Sequence, residues 1–288
     1  MLELFQNLSE DEANKYGLVL SSSGISYHLR KGGSGWYVWV DDMDYEKALN
    51  TIEQYLEENK DFDRKDEVPY FEYQRTFTGL WVSIGLLACY VIIKTGNDFQ
   101  LFVNAYGSSA FHILHGELYR TVTSLMLHAN TLHLSGNILG IAIFGTAVCT
   151  ITGWGAGWLM ILTTGIVGNL LNAILYKTGH LSIGASTAVF GAIGILAAHQ
   201  FIRKLGLPGQ RIRAWLPLAG GITLLGILGS GEFVDLTAHL FGFMAGIVIG
   251  ALYAILVKGP IARSYQVYCL LVTLGVLVMS WIRAFVHI

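Results

Sequence analysis

The chain has 288 residues, 53% hydrophobic and 13% charged, with a mean hydropathy of +0.52 and a formal net charge of −2. A soluble globule carries about 25% charged residues, so this composition excludes an ordinary soluble domain and points to a membrane protein. The small net charge conceals two regions: residues 1–75 hold 16 of the 20 acids and 8 of the 18 bases, giving −8, and the remainder carries +6.

The first region predicts a small α+β domain. Ser9 followed by Glu10, Asp11 and Glu12 is a helix N-cap with acids in its first turn. The stretches 17–23, 24–30 and 35–42 read as short strands separated by Ser and Gly turns. Residues 45–58 have helical spacing, with Ala48, Ile52 and Tyr55 on one side. The start, MLELFQNLSEDEANK, lacks the basic flank and apolar run of a signal peptide, so this domain is expected to stay in the cytosol. The expected organisation is a cytosolic domain over 1–60, a charged linker over 61–76, a helical core over 77–257, and a loop with an additional helix over 258–288.

From Phe77 onward seven apolar spans follow, at about 77–93, 132–151, 155–176, 186–203, 214–229, 235–257 and 266–283. Each is near the ~20 residues that cross the hydrocarbon core. Cys89, Cys149 and Cys269 lie inside apolar segments, far apart in sequence, and read as small buried hydrophobes rather than a disulfide set or a metal site. Orientation follows from loop charge. Arg203, Lys204, Arg211 and Arg213 mark one cytoplasmic loop, and Lys258 and Arg263 mark another. The N-terminus is then inside and the C-terminus outside. The outer loops are 94–131, 177–185 and 230–234. The absence of a targeting segment suggests a prokaryotic plasma membrane.

This topology gathers polar residues in one leaflet. His133 and Asn137, at i and i+4, share a face at the start of the second span. Ser186 opens the fourth, and His239 lies one turn into the sixth, about 6 Å deep. Ser186 alone reads first as a helix cap or a packing residue and only secondarily as a reactive group. The sixth span carries a stripe of Ala238, Gly242, Gly246 and Gly250, four residues apart, which lets another backbone approach. If it packs on the fourth span, Ser186 and His239 can meet. A hydroxyl needs a base to become a nucleophile, and neutral imidazole is one near pH 7. Acyl transfer also needs oxyanion donors, which an Asn amide, a His N–H and a backbone N–H supply. No third acid is evident, since Asp235 stands one turn before His239 on the same helix and at most tunes it. A Ser186–His239 dyad follows, with Asn137 and His133 as oxyanion-stabilising groups. Phe190, one turn after Ser186 on the same face, reads equally as a packing partner of the His239 ring and as a core residue, and Gly184 is a candidate for packing at the site. His128 reads as structural, and Asn169 and Asn172 as interhelical hydrogen-bonding residues.

Four motifs resemble the rhomboid family of intramembrane serine proteases: GELYR at 116–120, HANTLHLSGN at 128–137, GAST at 184–187 and AHLFGFMAG at 238–246. The resemblance covers about 116–250. It implies a six-helix rhomboid-like core with one extra C-terminal transmembrane helix, and a peptidase with Ser186 as nucleophile and His239 as general base. It also implies Asn137, His133 and the Ser186 N–H as oxyanion donors, and membrane-protein substrates with a single span, cut near the outer face. Neither metal nor organic cofactor is called for. Two departures stand out. Thr187 follows the nucleophile where Gly is usual, which is expected to narrow the oxyanion pocket, and Tyr119 replaces the commoner Trp. The alternatives are a catalytically inactive rhomboid-like binding or chaperone scaffold and a transporter. A transporter calls for charged or broken midplane helices and internal repeats, neither of which is clear here.

Overall fold

A computed structural model of the chain describes residues 1–63, 76–96, 98–207, 209–228 and 235–287. The chain divides into two units, Met1–Tyr70 and Phe71–Ile288. Most of the charged linker expected at 61–76, and the outer loop expected at 230–234, lie outside the described residues.

The first unit runs β1 (Leu2–Leu8), α1 (Glu10–Ser22), β2 (Tyr27–Lys31), β3 (Trp36–Val40) and α2 (Tyr45–Asp63). The strands form an antiparallel sheet in the order β1-β3-β2. Val38 and Val40 alternate into a core with Leu4, Leu20, Ile25, Ala48 and Ile52, which closes the sheet face under the two helices. Ser9 caps α1 as expected, in a reciprocal capping box with Glu12. The strand expected at 17–23 is instead the second half of α1. Its Leu and Val run favours a strand locally, but Ala13, Gly17 and Leu20 are buried at i, i+4 and i+7, a helical stripe nucleated by the cap. Strand β1, which precedes the cap, was not expected.

The second unit begins with α3 (Thr78–Thr95) and continues through α4 (Phe99–Tyr106), β4 (Ser108–Ser109), α5 (Ala110–Leu114) and α6 (Arg120–Thr123). Next, α7 (Thr131–Gly140), a π-helical turn at Ile141–Gly145 and α8 (Thr146–Thr152) form one rod. It is followed by α9 (Trp154–Tyr176), β5 (Leu181–Ser182), α10 (Ser186–Leu205), α11 (Arg211–Ala214), α12 (Leu216–Leu228), α13 (Leu236–Leu256) and α14 (Arg263–Val286). Among the described residues, six helical segments are long and apolar enough to cross a membrane: 78–95, 131–152, 154–176, 186–205, 236–256 and 263–286. The span expected at 214–229 is helical as α12, but its 13 described helical residues fall short of that length.

The most buried of the six is α10, and it packs most closely on α13. A Cβ at Gly242 would strike the carbonyl of Thr187; one at Gly246 would strike that of Gly191, and one at Gly250 that of Ile195. The constant offset makes the two helices run in the same direction in close backbone contact. This is the small-residue stripe read from the sequence.

The extra helix α14 is fastened at both ends. Gln266, fully buried, accepts hydrogen bonds on Oε1 from the N–H groups of Gly155 (2.8 Å) and Ala156 (2.9 Å), and donates to the Thr152 carbonyl (2.9 Å). These groups flank Gly153, whose φ of +87° turns α8 into α9. Near the far end of α14, Trp281 donates its Nε1–H to Met126 Sδ.

Candidate active site

The segment leading into α10 is held from several sides. Ser108 and Ser109 pair with Ser182 and Leu181, and the Ala110 N–H donates to the His180 carbonyl at 3.0 Å. The Gly184 N–H donates to the Ser124 carbonyl at 2.9 Å. Gly184 has φ +128°, a conformation that a side chain would strain. The Ala185 N–H points at Nε2 of His128 (3.5 Å), a buried ring whose edge meets that of His133 with centroids 5.4 Å apart. Burial, with the adjacent His133, pushes the His128 imidazole down to about 4, so it stays neutral and can accept this bond. The structural reading of His128 has its physical basis here.

Ser186 is the first residue of α10 and is half-buried. A Cβ built on Gly184 would lie 3.4 Å from Ser186 Oγ and 2.7 Å from Nε2 of His133. The hydroxyl and that imidazole therefore border one small volume, open because residue 184 has no side chain. His239 is buried one turn into α13, and its ring stacks on Phe190 with centroids 4.6 Å apart and planes at 27°. The offset that sets Gly242 against Thr187 puts His239 within about 5 Å of Ser186 along the bundle. No helix intervenes, since Ser186 and Phe190 lie one turn apart on α10. Among the described residues no hydrogen bond joins Ser186 to His239, and His239 Nδ1 is buried without a partner. Catalytic hydrogen bonds are often loose before substrate arrives.

Asn137 shares a helix face with His133 and Gly140. A Cβ at Gly140 would lie 2.6 Å from Val189, and His133 abuts Gly184, so this face lies along the start of α10 with Asn137 between the two contacts. The Asn137 amide itself donates to the His133 carbonyl at 3.1 Å, within its own helix, rather than into the volume beside Ser186. Thr187 corrects an expectation. Its hydroxyl donates to Asn169 Oδ1 on α9 at 3.0 Å, and its methyl fills the space left by Gly168 and Gly242. The side chain is committed to packing against α9 and α13 and does not narrow the Ser186–His133 side.

The polar residues of α9 do hold helices together. Asn169 donates to the Thr121 carbonyl at 2.9 Å and to Ser124 Oγ at 3.2 Å. Asn172 donates to Asp235 Oδ2 at 2.7 Å. Asp235 caps α13 through the Ala238 N–H, and His180 Nε2 lies 2.6 Å from its Oδ2. Burial alone would raise this carboxyl's pKa. The hydrogen bonds from His180, the Ala238 amide and Thr237, with the His180 charge, instead hold it well below the usual carboxylate range. The sequence reading missed His180, because a lone His in a short loop has no periodic pattern to mark it. In the GELYR motif, Glu117 Oε2 accepts from both Arg120 Nε and the Tyr119 hydroxyl at 2.7 Å, and Arg120 also donates to the Asn104 carbonyl. These residues brace the 94–131 segment. Among the described residues no cluster of three His, Cys, Asp or Glu side chains is placed to hold a metal ion.

Residues 115–256 match the Rhomboid domain family. Rhomboid-like protease 3 of Toxoplasma gondii is 28% identical over 220 residues, covering 74% of this chain and 80% of that protein. Putative rhomboid protease YdcA of Bacillus subtilis is 26% identical over 140 residues, covering 49% of this chain and 69% of that protein. Rhomboid protease GluP of the same organism is 27% identical over 222 residues, covering 74% of this chain but 42% of its own length. The matched segment runs from just before the GELYR motif to the last residue of α13, so it contains Ser186, His239, His133 and Asn137. Residues 115–256 form a rhomboid domain, and the chain is an integral, multi-pass membrane protein.

Proposed function

We propose that this chain is an intramembrane serine protease that hydrolyses a peptide bond in or near the transmembrane helix of single-span membrane proteins. The observation that carries the reading is the close packing of α10 on α13, with the His239 ring stacked on Phe190 one turn from Ser186.

In this reading His239 takes the Ser186 Oγ proton as the oxygen attacks the substrate carbonyl. The resulting oxyanion is met by the Ser186 N–H, the His133 imidazole bordering the same volume, and the Asn137 amide after it leaves its intrahelical bond. Collapse expels the new amine, which receives the proton from His239. Water then attacks the acyl-enzyme by the same route, and Ser186 is released. A helical peptide bond is shielded by its own hydrogen bonds, so the preferred substrates are helices that unwind near one end. Loop charge supports a cytoplasmic N-terminus, an external C-terminus and a site near the outer face.

The test is cleavage of a model single-span substrate by detergent-solubilised protein, with Ser186→Ala and His239→Ala beside the wild type. Loss of cleavage in both, with folded yield retained, is the expected result. Equal cleavage by Ser186→Ala overturns the mechanism. That no hydrogen bond joins Ser186 and His239 among the described residues favours a second reading, an inactive binding scaffold. Well-folded wild-type protein that neither cleaves nor reacts with a fluorophosphonate probe would establish that one.

A further inference from the structure

Asp235 has more partners than a helix cap needs. Capping uses one carboxylate oxygen, Oδ1, which accepts from the Ala238 N–H at 3.0 Å. Thr237 Oγ1 lies 2.9 Å from the same oxygen and 2.7 Å from Asn172 Oδ1, and donates to one of them. The other oxygen, Oδ2, faces away from α13. It accepts from Asn172 Nδ2 on α9 at 2.7 Å and from His180 Nε2 at 2.6 Å. The carboxylate is largely buried, with 12% side-chain exposure. A buried charge is tolerated only when its lone pairs are occupied, and here they are occupied from three different segments.

Two of those segments carry the proposed dyad. Asp235 stands one turn before His239 on α13, and His180 stands six residues before Ser186. His180 is itself fixed: its ring stacks flat on Tyr176, with centroids 3.9 Å apart and planes at 8°, and its carbonyl accepts from the Ala110 N–H. From 180 to 186 the chain is held by the β4–β5 pairing and by the Gly184 bond to Ser124. One carboxylate thus ties the turn bearing the imidazole to the segment that delivers the hydroxyl, with α9 as the common support.

We infer that Asp235 is a positioning residue for catalysis, clamping the His239 turn of α13 to the His180 segment and Asn172 so that Ser186 and His239 keep their spacing. This rests on the protease reading above. Asp235 does not touch the reacting atoms; it acts through His239. A misplacement of about 1 Å in such a pair costs on the order of a hundredfold in rate.

Two measurements test the clamp. In the cleavage assay, Asp235→Ala is expected to lower kcat by about ten- to hundredfold with KM changed less than about twofold. Asp235→Asn, which keeps the capping oxygen but turns a donating NH2 toward the Asn172 and His180 donors, is expected to recover only the part of that loss that the cap carries. Wild-type kcat in Asp235→Ala overturns the inference. So does a loss that matches the lost fraction of folded protein and is not recovered even in part by Asn. The second measurement does not need activity. Hydrogen exchange in Asp235→Ala is expected to rise in peptides covering 236–242 and 180–186 while 246–256 stays protected. Unchanged exchange in the first two overturns the clamp. If wild-type protein cleaves nothing, the protease reading fails by itself, and the exchange experiment still decides whether Asp235 joins these segments.

Discussion

The two units are packed by opposite means. In the first, Leu20, Ile25, Val38, Val40 and Ile52 fill the space between sheet and helices, and water drives their burial. In the second, the tightest contact is made where side chains are missing. Gly242, Gly246 and Gly250 press against the α10 backbone, because lipid is as apolar as leucine and offers no hydrophobic reward for association. Specificity in the membrane unit therefore comes from close backbone approach and from a few polar side chains with paired partners. The same residues that hold the helices together thus surround the proposed site.

The sharpest way to break this contrast is at the site itself. Ser186→Ala is expected to reduce cleavage by at least about a thousandfold while leaving the fold intact, since the side chain fills no core space. Fluorophosphonate labelling and circular dichroism on the same sample check both halves. Next is Gly246→Val, which drives a branched side chain into the Gly191 carbonyl and should cost about 3 kcal/mol or more, read as lost yield of folded protein in detergent. The matching change in the first unit is Ile52→Ala, which opens a cavity in a fully buried position and should cost that unit about 2–5 kcal/mol. Fluorophosphonate labelling of Ser186 should be unchanged in it; coupled loss of both units would break the comparison.

A pH experiment sharpens it further. The Asp235 carboxyl is held below its ordinary range in the folded state, so its contribution is present above the unfolded value of about 3.9 and is lost as pH falls below that. The melting-temperature gap between wild type and Asp235→Asn should stay constant from neutral pH down to about 5 and close at lower pH. A gap that instead closes near neutral pH would assign the effect to another group. The smallest expected effect is Ser9→Ala, which removes the cap of α1 and should cost the first unit about 1 kcal/mol, measured by its thermal unfolding.

How much of this was legible in the sequence depended on whether the signal was local. Span parity alone brought Ser186, His239, His133 and Asn137 to one end of the bundle, and the Gly stripe named the helices that pack. Asn169 and Asn172 were readable as interhelical links because an amide inside an apolar span must find a partner. The one-turn offset of Phe190 offered the His239 ring or the core as its partner, and the stack on His239 decides between them. The misreading of 17–23 came from taking a short Leu-Val-Leu run followed by serines for a strand and turn, over a burial stripe that becomes clear once the cap anchors the helix. Thr187 was misread as narrowing the oxyanion pocket, because its packing depends on Gly168 and Gly242, glycines on two other helices. The His180–Asp235 pair joins residues 55 positions apart and leaves no periodic trace.

Gln266 bears on how the protein is made. Its amide satisfies three backbone groups at the corner between α8 and α9, yet it is synthesised more than a hundred residues after them. Until α14 emerges and docks, the Gly155 and Ala156 N–H groups must find other acceptors or stay near the water interface. Completion of an early corner is thereby deferred until α14 has been made, so a nascent chain truncated ahead of α14 carries an unfinished bend that quality-control machinery could recognise.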